Sequence, residues 1–320
     1  MGIRKKLSLR WREVRTCIHG LLSSKHVILA HIVPTRRCNL ACAYCNEYDH
    51  VSSPVPTEVM FRRIDLLAKL GTSIVGMTGG EPLMHPELDA IVRHIRRRGM
   101  MSGMITNGYF LTPEKIEALN EAGLDYLQIS IDNIEPDDVS KKSLKVLDKK
   151  LQMLADHAEF NVNINSVVGA GVRDPKDAPA ISRRAEEFGF SHSMGIFRDG
   201  NGGVQPFNDR ILRAYEQAKP KGRRSYARMD WFQTRLAQGK SNEWRCRAGA
   251  RYLYICEEGL VHYCTQKRGY PGVPLENYTR ANMRKEYLTK KPCAPYCAIS
   301  TALKISVFDR WRDPQHDPTD

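Results

Sequence analysis

Residues 37–46 read RCNLACAYCN and place three cysteines in one short loop, with the spacing C-x3-C-x2-C. Three thiolates on one loop can bind three irons of a [4Fe–4S] cluster and leave the fourth iron without a protein ligand. Open coordination positions of this kind bind substrates in other metal sites. The alternative is a zinc site completed by His50, although structural zinc sites usually draw on two paired groups of ligands. The loop therefore predicts an iron–sulfur centre with one open iron.

Strands and helices alternate around this loop. A continuous apolar run at 27–33 predicts a buried parallel strand directly before it. Five more predicted strands follow at 74–77, 100–106, 126–131, 161–168 and 191–196. The predicted helices between them are 57–70, 86–98, 112–122, 142–157 and 175–188. Consecutive βα units form parallel sheets, so the pattern predicts an α/β fold with a partial (β/α)6 TIM-like barrel. Chemistry in such barrels lies at the carboxyl ends of the strands.

The second predicted strand ends in Thr78-Gly79-Gly80-Glu81-Pro82. This motif, together with the cysteine loop after the first strand, resembles the radical S-adenosylmethionine (radical SAM) superfamily over about residues 27–200. The resemblance implies that the open iron chelates S-adenosylmethionine through its amino and carboxylate groups. It implies an enzyme that reductively cleaves this cofactor to a 5′-deoxyadenosyl radical, which abstracts a hydrogen atom from a substrate.

The resemblance also implies which residues bind S-adenosylmethionine. The two glycines let a ligand approach the backbone, Glu81 can accept hydrogen bonds from a cationic amino group, and Tyr44 matches an aromatic position near the adenine. Polar residues at later strand ends are placed to meet ribose or carboxylate, although each alone is more often a turn or cap residue. The full set of candidates is Tyr44, Gly79, Gly80, Glu81, Pro82, Asn107, Ser130, Asp132 and Asn165.

A second group of cysteines lies near the C-terminus. Its pattern is Cys246-x12-Gly259-x4-Cys264 followed by Cys293-x3-Cys297. It resembles the SPASM and twitch auxiliary-cluster domains of radical SAM enzymes, and it implies four ligands for one auxiliary [4Fe–4S] cluster, giving two clusters in all. A zinc site with the same four cysteines is the alternative. Cys256 is left over, either as a weak catalytic candidate or as a buried strand residue.

Basic residues are concentrated in two stretches of a chain with net charge +13. Residues 1–25 contain seven Lys and Arg against one Glu, and residues 221–251 contain nine against two acidic residues. Apolar positions within 3–22 recur at helical spacing, so the first stretch predicts an amphipathic helix. Either that helix packs on the main domain or it lies on an anionic membrane surface. No zinc-finger, RRM or KH motif is present, so nucleic acid is disfavoured as a partner.

These features divide the chain into four predicted parts. They are a basic amphipathic helix at 1–26, a radical SAM partial barrel at 27–205, a helical linker with a small Cys-rich twitch-like domain at 206–303, and a polar tail at 304–320. The start of the sequence lacks an apolar signal core. A cytoplasmic location is therefore expected. The alternative is a peripheral location on the inner face of the membrane.

The predicted function is that of a radical SAM enzyme, an oxidoreductase or a catalyst of C–C or C–X bond formation. The basic charge favours a lipid or small anionic metabolite as substrate, with the auxiliary cluster assisting electron transfer or substrate positioning. The first alternative is modification of a ribosomal peptide, disfavoured because no leader-binding module precedes residue 27. The second is a non-enzymatic iron–sulfur electron carrier or zinc adaptor, although carriers usually give every iron a protein ligand. The resemblance also implies an electron donor such as flavodoxin or ferredoxin.

Overall fold

The computed structural model describes residues 2–169, 174–196, 204–219 and 231–313. Within them, one nine-stranded sheet has the order β6-β5-β4-β3-β2-β1-β7-β8-β9. The strands are β1 Leu29–Thr35, β2 Ile74–Gly79, β3 Met101–Thr106, β4 Tyr126–Ser130, β5 Asn161–Val168, β6 Ser191–Ile196, β7 Tyr252–Ile255, β8 Leu260–His262 and β9 Pro271–Pro274. The helices are α1 Ile3–Leu22, α2 Thr57–Lys69, α3 Leu88–Arg97, α4 Pro113–Ala122, α5 Leu144–His157, α6 Asp177–Glu187, α7 Asp209–Ala218, α8 Trp231–Ala237, α9 Arg280–Leu288 and α10 Ser300–Ser306.

The first six strands are all parallel and alternate with helices, which confirms the predicted α/β class and partial barrel. Local chemistry explains why the helix limits were readable. For α4, the Thr112 hydroxyl accepts a hydrogen bond from the Lys115 amide, Pro113 occupies the first turn, and Gly123 ends the helix at φ 86°. In α2, Thr57 is the first helical residue and Pro56 occupies the N-cap position.

The C-terminal region extends the same sheet. β7 pairs in parallel with β1 from Leu29↔Tyr252 to Ile32↔Ile255, and β8 and β9 continue the sheet in antiparallel fashion. β1 is thereby flanked on both sides, which removes an exposed edge strand. The predicted helical character of 207–245 holds only for α7 and α8 among the described residues, and 221–230 lie outside them. Residues 304–313 of the predicted tail are folded, and Asp309 is fully buried.

Two arginines of the second basic stretch are structural. Arg251 is fully buried and donates to Asp309 Oδ2 at 2.8 Å, to the His26 carbonyl at 2.8 Å and to the Gly20 carbonyl at 2.6 Å. Arg247 is also buried and donates to the Tyr287 carbonyl at 2.5 Å. Their charge is used inside the protein, so the expectation that this whole stretch faces an anionic partner is wrong for these two residues.

Helix α1 crosses the amino-terminal ends of the strands. Arg12 forms an ion pair of 2.6 Å with Asp125, which precedes β4, and Tyr126 donates its hydroxyl proton to Glu13. Arg251, the residue before β7, donates a hydrogen bond to the Gly20 carbonyl near the end of α1. Because of these contacts, α1 closes the end of the barrel opposite to the carboxyl ends of the strands. No described helix is long and apolar enough to cross a membrane.

Candidate active site

The first cysteine loop leaves β1 at the carboxyl edge of the sheet. Its backbone is held by hydrogen bonds from the Cys38 amide to the Asp49 carbonyl at 2.9 Å and from the Ala43 amide to the Val139 carbonyl at 3.0 Å. Nδ1 of the His50 ring lies at hydrogen-bond distance, 2.9 Å, from the Cys38 carbonyl oxygen. The loop is therefore tied down at both ends, with its three thiols on a fixed turn.

The three thiols are close enough to affect one another. Burial raises the pKa of Cys38 to about 11, and the charges of Glu81, Cys45 and Cys42 add to that effect. Backbone amides donate to the sulfurs from two residues further on, Leu40 to Cys38 and Glu47 to Cys45, both at 3.4 Å. Hydrogen bonds of this kind stabilise cluster-bound thiolates. The loop fits a [4Fe–4S] cluster with one iron left open.

The two glycines at the end of β2 are closely packed against the chain that leaves β1. A Cβ atom on Gly80 would lie 2.2 Å from the Arg36 carbonyl oxygen and 2.4 Å from that of Arg37. Gly79 has φ 115°, and a Cβ there would lie 2.8 Å from the Thr35 carbonyl oxygen. The backbone that approaches these glycines is the start of the cysteine loop. The missing side chains let that loop pack against the end of β2, and the approach of a ligand to the same glycines stays a prediction.

Glu81 is completely buried and already accepts three hydrogen bonds. Its carboxylate receives the Leu83 amide at 2.9 Å, the Thr106 hydroxyl at 2.7 Å and the Asn107 amide at 2.7 Å. Burial raises the pKa of Glu81, against the effect of these donors. Glu81 thus ties the end of β2 to the end of β3. Pro82, which follows it, begins a buried single turn.

Asn107 connects this clamp to the cysteine loop. Its side-chain amide donates to Asn39 Oδ1 at 2.8 Å and approaches Cys38 Sγ at 3.7 Å. Its own amide oxygen is held by the Tyr109 backbone at 3.0 Å. Asn107 is therefore a direct neighbour of the first thiol, and its contact with ribose or carboxylate stays a prediction.

A buried polar cluster lies on the other side of the loop. Asp132 Oδ2 accepts from the Tyr44 hydroxyl at 2.5 Å, from the Ser140 hydroxyl at 2.7 Å and from Lys142, 3.1 Å away. Ser140 in turn lies 3.8 Å from Cys42 Sγ. Burial alone would lower the pKa of Lys142, but the Asp132 carboxylate holds it well above its ordinary value. Lys142 and Ser140 were not among the candidate site residues predicted from the sequence, although both follow β4 as Asp132 does.

Asp132 also supplies a test of whether the site fits a ligand. Its other oxygen, Oδ1, is buried and has no hydrogen-bond partner in the described part of the chain. An unpartnered carboxylate oxygen is costly inside a protein, so it suits a ligand hydroxyl or ammonium group. The fit with S-adenosylmethionine, which carries both groups, is therefore good at this point.

Ser130, the last residue of β4, is the register partner of Asn165 in the middle of β5. Both are half-buried on the concave face of the sheet. Asn165 accepts from the Ser193 hydroxyl at 3.0 Å, and Ser193 accepts from the Asn163 amide at 2.8 Å. The structure thus places them beside a row of neutral amide and hydroxyl groups.

The second cysteine site gathers the four cysteines of the C-terminal motif. The pKa of Cys297 is raised to about 12, first by burial and then by the charges of Cys246, Cys264 and Cys293. Cys297 accepts the Ile299 amide at 3.4 Å, and Cys246 accepts that of Ala248, which repeats the spacing seen in the first loop. No three described His, Cys, Asp or Glu side chains converge on one metal ion. A cluster does not require this, since each thiolate binds a different iron.

Cys256 lies apart from this group in the apolar packing. It is fully buried just after β7, packed with Val33 and Tyr254, and Leu260 contacts the same cluster. This placement favours the interpretation as a buried strand residue.

The two cysteine sites are joined by direct contacts. Asn46, next to Cys45, donates to the Thr265 carbonyl at 3.5 Å, and Thr265 is next to Cys264. Glu47 accepts from the Tyr254 hydroxyl, and Arg268 lies 3.5 Å from its other oxygen. Burial raises the pKa of Glu47 to about 7, against the charges of Arg268 and Arg36. The first loop is therefore seated on the β7–β9 region.

Comparison with known proteins agrees with this geometry. The profile of the Radical SAM superfamily matches residues 32–174. An Fe-coproporphyrin III synthase from Methanosarcina barkeri is 30% identical over 157 residues, which are 48% of this chain and 39% of that protein. PqqA peptide cyclases from Methylocella silvestris and Ruegeria pomeroyi are 38% and 35% identical over 104 and 106 residues. Each of these two matches covers 32% of this chain and 28% of the cyclase.

Solved structures show the same fold over most of the chain. SuiB of Streptococcus suis, bound to its precursor peptide SuiA, has a TM-score of 0.59 at 16% identity and covers 90% of this chain and 69% of SuiB. A structure of anSMEcpe with bound AdoMet and the Cp18Cys peptide has a TM-score of 0.59 at 15% identity, with 83% of this chain and 85% of that chain covered.

The barrel and the cysteine loop at its carboxyl edge form a radical SAM domain, which matches the superfamily over residues 32–174. The assignment of the second cysteine site to an auxiliary cluster stays a prediction. The match to the Radical SAM superfamily favours an enzyme over the alternative of an electron carrier or zinc adaptor.

Proposed function

We propose that this protein modifies a ribosomally made peptide by radical chemistry. The observation that carries the proposal is the 35 to 38% identity to PqqA peptide cyclases. The chain spans less than a third of those cyclases in the matched segments, so their activity is carried over as a hypothesis. A peptide, the alternative in the sequence analysis, thereby replaces the lipid or small anionic metabolite that the charge favoured.

The residues for radical chemistry lie on one edge of the barrel. We assign Cys38, Cys42 and Cys45 to a [4Fe–4S] cluster with one open iron, which together with S-adenosylmethionine supplies a hydrogen-abstracting radical. Asp132 orients the cofactor through its unpartnered Oδ1, while Lys142 forms an ion pair with its other oxygen. Glu81 and the two glycines keep the cysteine loop in place beside the cofactor.

The concave face of the barrel suits a peptide. Ser191 donates to Asn163, Asn163 to Ser193 and Ser193 to Asn165, so the row along β5 and β6 has fixed donors and acceptors. These groups are uncharged and match the amide groups of a peptide backbone. The alternate residues, such as Ile164, are packed among the helices instead. We infer that an extended peptide segment lies along this row beneath the cysteine loop.

The second site is proposed to hold an auxiliary [4Fe–4S] cluster on Cys246, Cys264, Cys293 and Cys297. The Asn46–Thr265 contact supports a role in electron transfer, because it joins residues adjacent to a cysteine of each site. Substrate positioning is the other role that this location allows. A flavodoxin or ferredoxin as electron donor, and a cytoplasmic location, complete the proposal.

The test is a comparison of peptides in matched cells. Cells that express the wild-type chain and cells that express the Cys38→Ala/Cys42→Ala/Cys45→Ala variant are analysed by untargeted mass spectrometry of peptides, tetrapyrroles and lipids. A peptide whose mass and fragment pattern change only with the wild type is the expected result. The same change must then be reproduced anaerobically with purified components. Wild-type-specific changes confined to tetrapyrroles or lipids contradict the proposal.

A further inference from the structure

Helix α1 exposes its apolar side chains to solvent. They recur every three or four residues and form one stripe along the helix. Their exposed fractions range from 46 to 79%, and they are Leu7, Trp11, Val14, Ile18, Leu21 and Leu22. A contiguous apolar surface of this kind marks an interaction site in a folded protein.

The opposite face of the helix is the one that packs on the barrel. Leu9 is only 4% exposed, and a Cβ atom on Gly20 would lie 2.8 Å from the Phe308 ring. Arg12 and Glu13 are engaged by Asp125 and Tyr126. The sequence left two possibilities, packing or membrane contact, and the structure shows packing that leaves the apolar stripe uncovered. The orientation of the stripe is fixed by these contacts.

Basic side chains flank the stripe. Lys6, Arg10 and Arg15 are exposed, and Glu13, the one acidic residue of the first 25, accepts from Tyr126 and also pairs with Arg10 at 3.4 Å. A groove of about 520 Å³ runs beside the helix, lined among others by Arg15, Trp11, Ile18 and Arg98. Apolar and cationic groups together match an anionic lipid bilayer, where the stripe enters the interface and the basic groups meet phosphates. A second copy of the chain would bring like charges together.

The position of α1 separates this surface from the active site. Asp125 and Arg251, which contact α1, precede strands, so the helix lies at their amino-terminal ends. The cysteine loop lies at the carboxyl ends. We propose that α1 docks the protein on an anionic bilayer with the catalytic edge of the barrel facing away from it. Docking then places the enzyme without making the lipid its substrate.

Vesicle flotation tests this proposal with purified, anaerobically reconstituted protein. Vesicles of phosphatidylcholine alone are compared with vesicles that also contain phosphatidylglycerol. The wild type should float with the anionic vesicles only, and salt should release it as the Debye length falls from about 10 Å at 0.1 M to about 3 Å at 1 M. Arg10→Gln/Arg15→Gln should weaken binding roughly 30-fold, since each basic residue near an anionic surface contributes about 1 kcal/mol. Trp11→Ser/Ile18→Ser should also reduce binding.

The controls distinguish docking from folding and from catalysis. Lys240→Gln removes an exposed charge away from α1 and should bind like the wild type. All the α1 variants should keep the wild-type melting temperature, because the changed side chains are exposed, and the wild-type rate of S-adenosylmethionine cleavage. Equal flotation of the wild type and the Trp11→Ser/Ile18→Ser variant overturns the proposal. A wild type that floats with neither kind of vesicle also overturns it. In that case formation of dimers, or binding of an acidic protein, through the stripe would identify its occupant.

Discussion

The first cysteine site takes its three thiols from one loop after β1, whereas the second gathers four thiols from three separate segments of the C-terminal region. The first is held by contacts at the ends of β1, β2 and β3. The second depends on β7, β8 and the turns before α10 being assembled. In both, a backbone amide two residues after a cysteine donates to its sulfur. The two sites therefore share the same hydrogen bonds to sulfur. In the first site a short motif brings the thiols together, whereas in the second site long-range folding does so.

Loss of the first site should have the largest effect. The variant Cys38→Ala/Cys42→Ala/Cys45→Ala should lose all reductive cleavage of S-adenosylmethionine, because no thiolate remains for that cluster. Iron analysis after anaerobic reconstitution should fall from about eight to about four per chain, since each cluster holds four irons. Cys17→Ser, on an exposed position of α1, is the control and should change neither value. Unchanged iron in the triple variant contradicts the assignment.

Loss of the second site should have a narrower effect. Cys264→Ala or Cys297→Ala should again leave about four irons per chain, now in the first site. Cleavage of S-adenosylmethionine to 5′-deoxyadenosine should continue, whereas modification of the peptide should stop. Cys256→Ala is the matched control, because that cysteine is buried but packed among apolar residues. If it loses iron as Cys264→Ala does, Cys256 is a ligand and the assignment of four ligands is wrong.

The sequence was most informative where contacts are local. The strand and helix alternation, the cysteine loop and the cap of α4 all depend on residues near one another in the chain, and the structure has them where expected. The roles of Gly80 and Glu81 could not be read in this way. Their partners, the Arg36 carbonyl and the donors at the end of β3, are brought to them only by strand pairing.

The same limit explains what was missed in the C-terminal region. Nothing local in 252–255 indicates that β7 pairs with β1, because a short apolar run fits any buried strand. The sequence likewise shows that Arg251 is charged. It does not show that Arg251 is buried beside Asp309, because these two residues are 58 positions apart in the chain. Long-range pairing also decides which basic residues remain available for a partner.

The junction between the two regions should be sensitive to Arg251. Arg251→Met leaves the buried Asp309 with Arg312 as its remaining ion-pair partner, so the loss of stability should be smaller than the roughly 3 kcal/mol lost when a buried pair is broken outright. Because Arg251 joins α1, His26 ahead of β1 and the C-terminal segment, the second site should lose its iron at lower denaturant than the first. Urea unfolding followed by absorbance and iron release measures this order.

Two variants show whether the ion pair is responsible. Arg251→Met/Asp309→Leu removes both charges and should recover much of the lost stability, since replacing a whole buried pair by apolar groups is often neutral. Arg284→Met, at an exposed position of α9, should leave the unfolding midpoint unchanged. Simultaneous loss of iron from both sites in Arg251→Met contradicts the idea that the second site depends more on this junction.

The smallest predicted effect is a pH dependence at the same junction. Burial, and then the charge of Arg251, lowers the pKa of His26 from 6.5 to about 3. Between these values the unfolded chain takes up a proton that the folded chain does not, so the contribution of His26 to stability is complete above pH 6.5 and is lost as the pH falls. His26→Asn keeps an acceptor for Arg251 without titrating there. Its free energy of unfolding should therefore decline less steeply than that of the wild type between about pH 6.5 and pH 4. His157→Asn, at an exposed position, should follow the wild type, and parallel curves for all three proteins would show that His26 stays protonated in the fold.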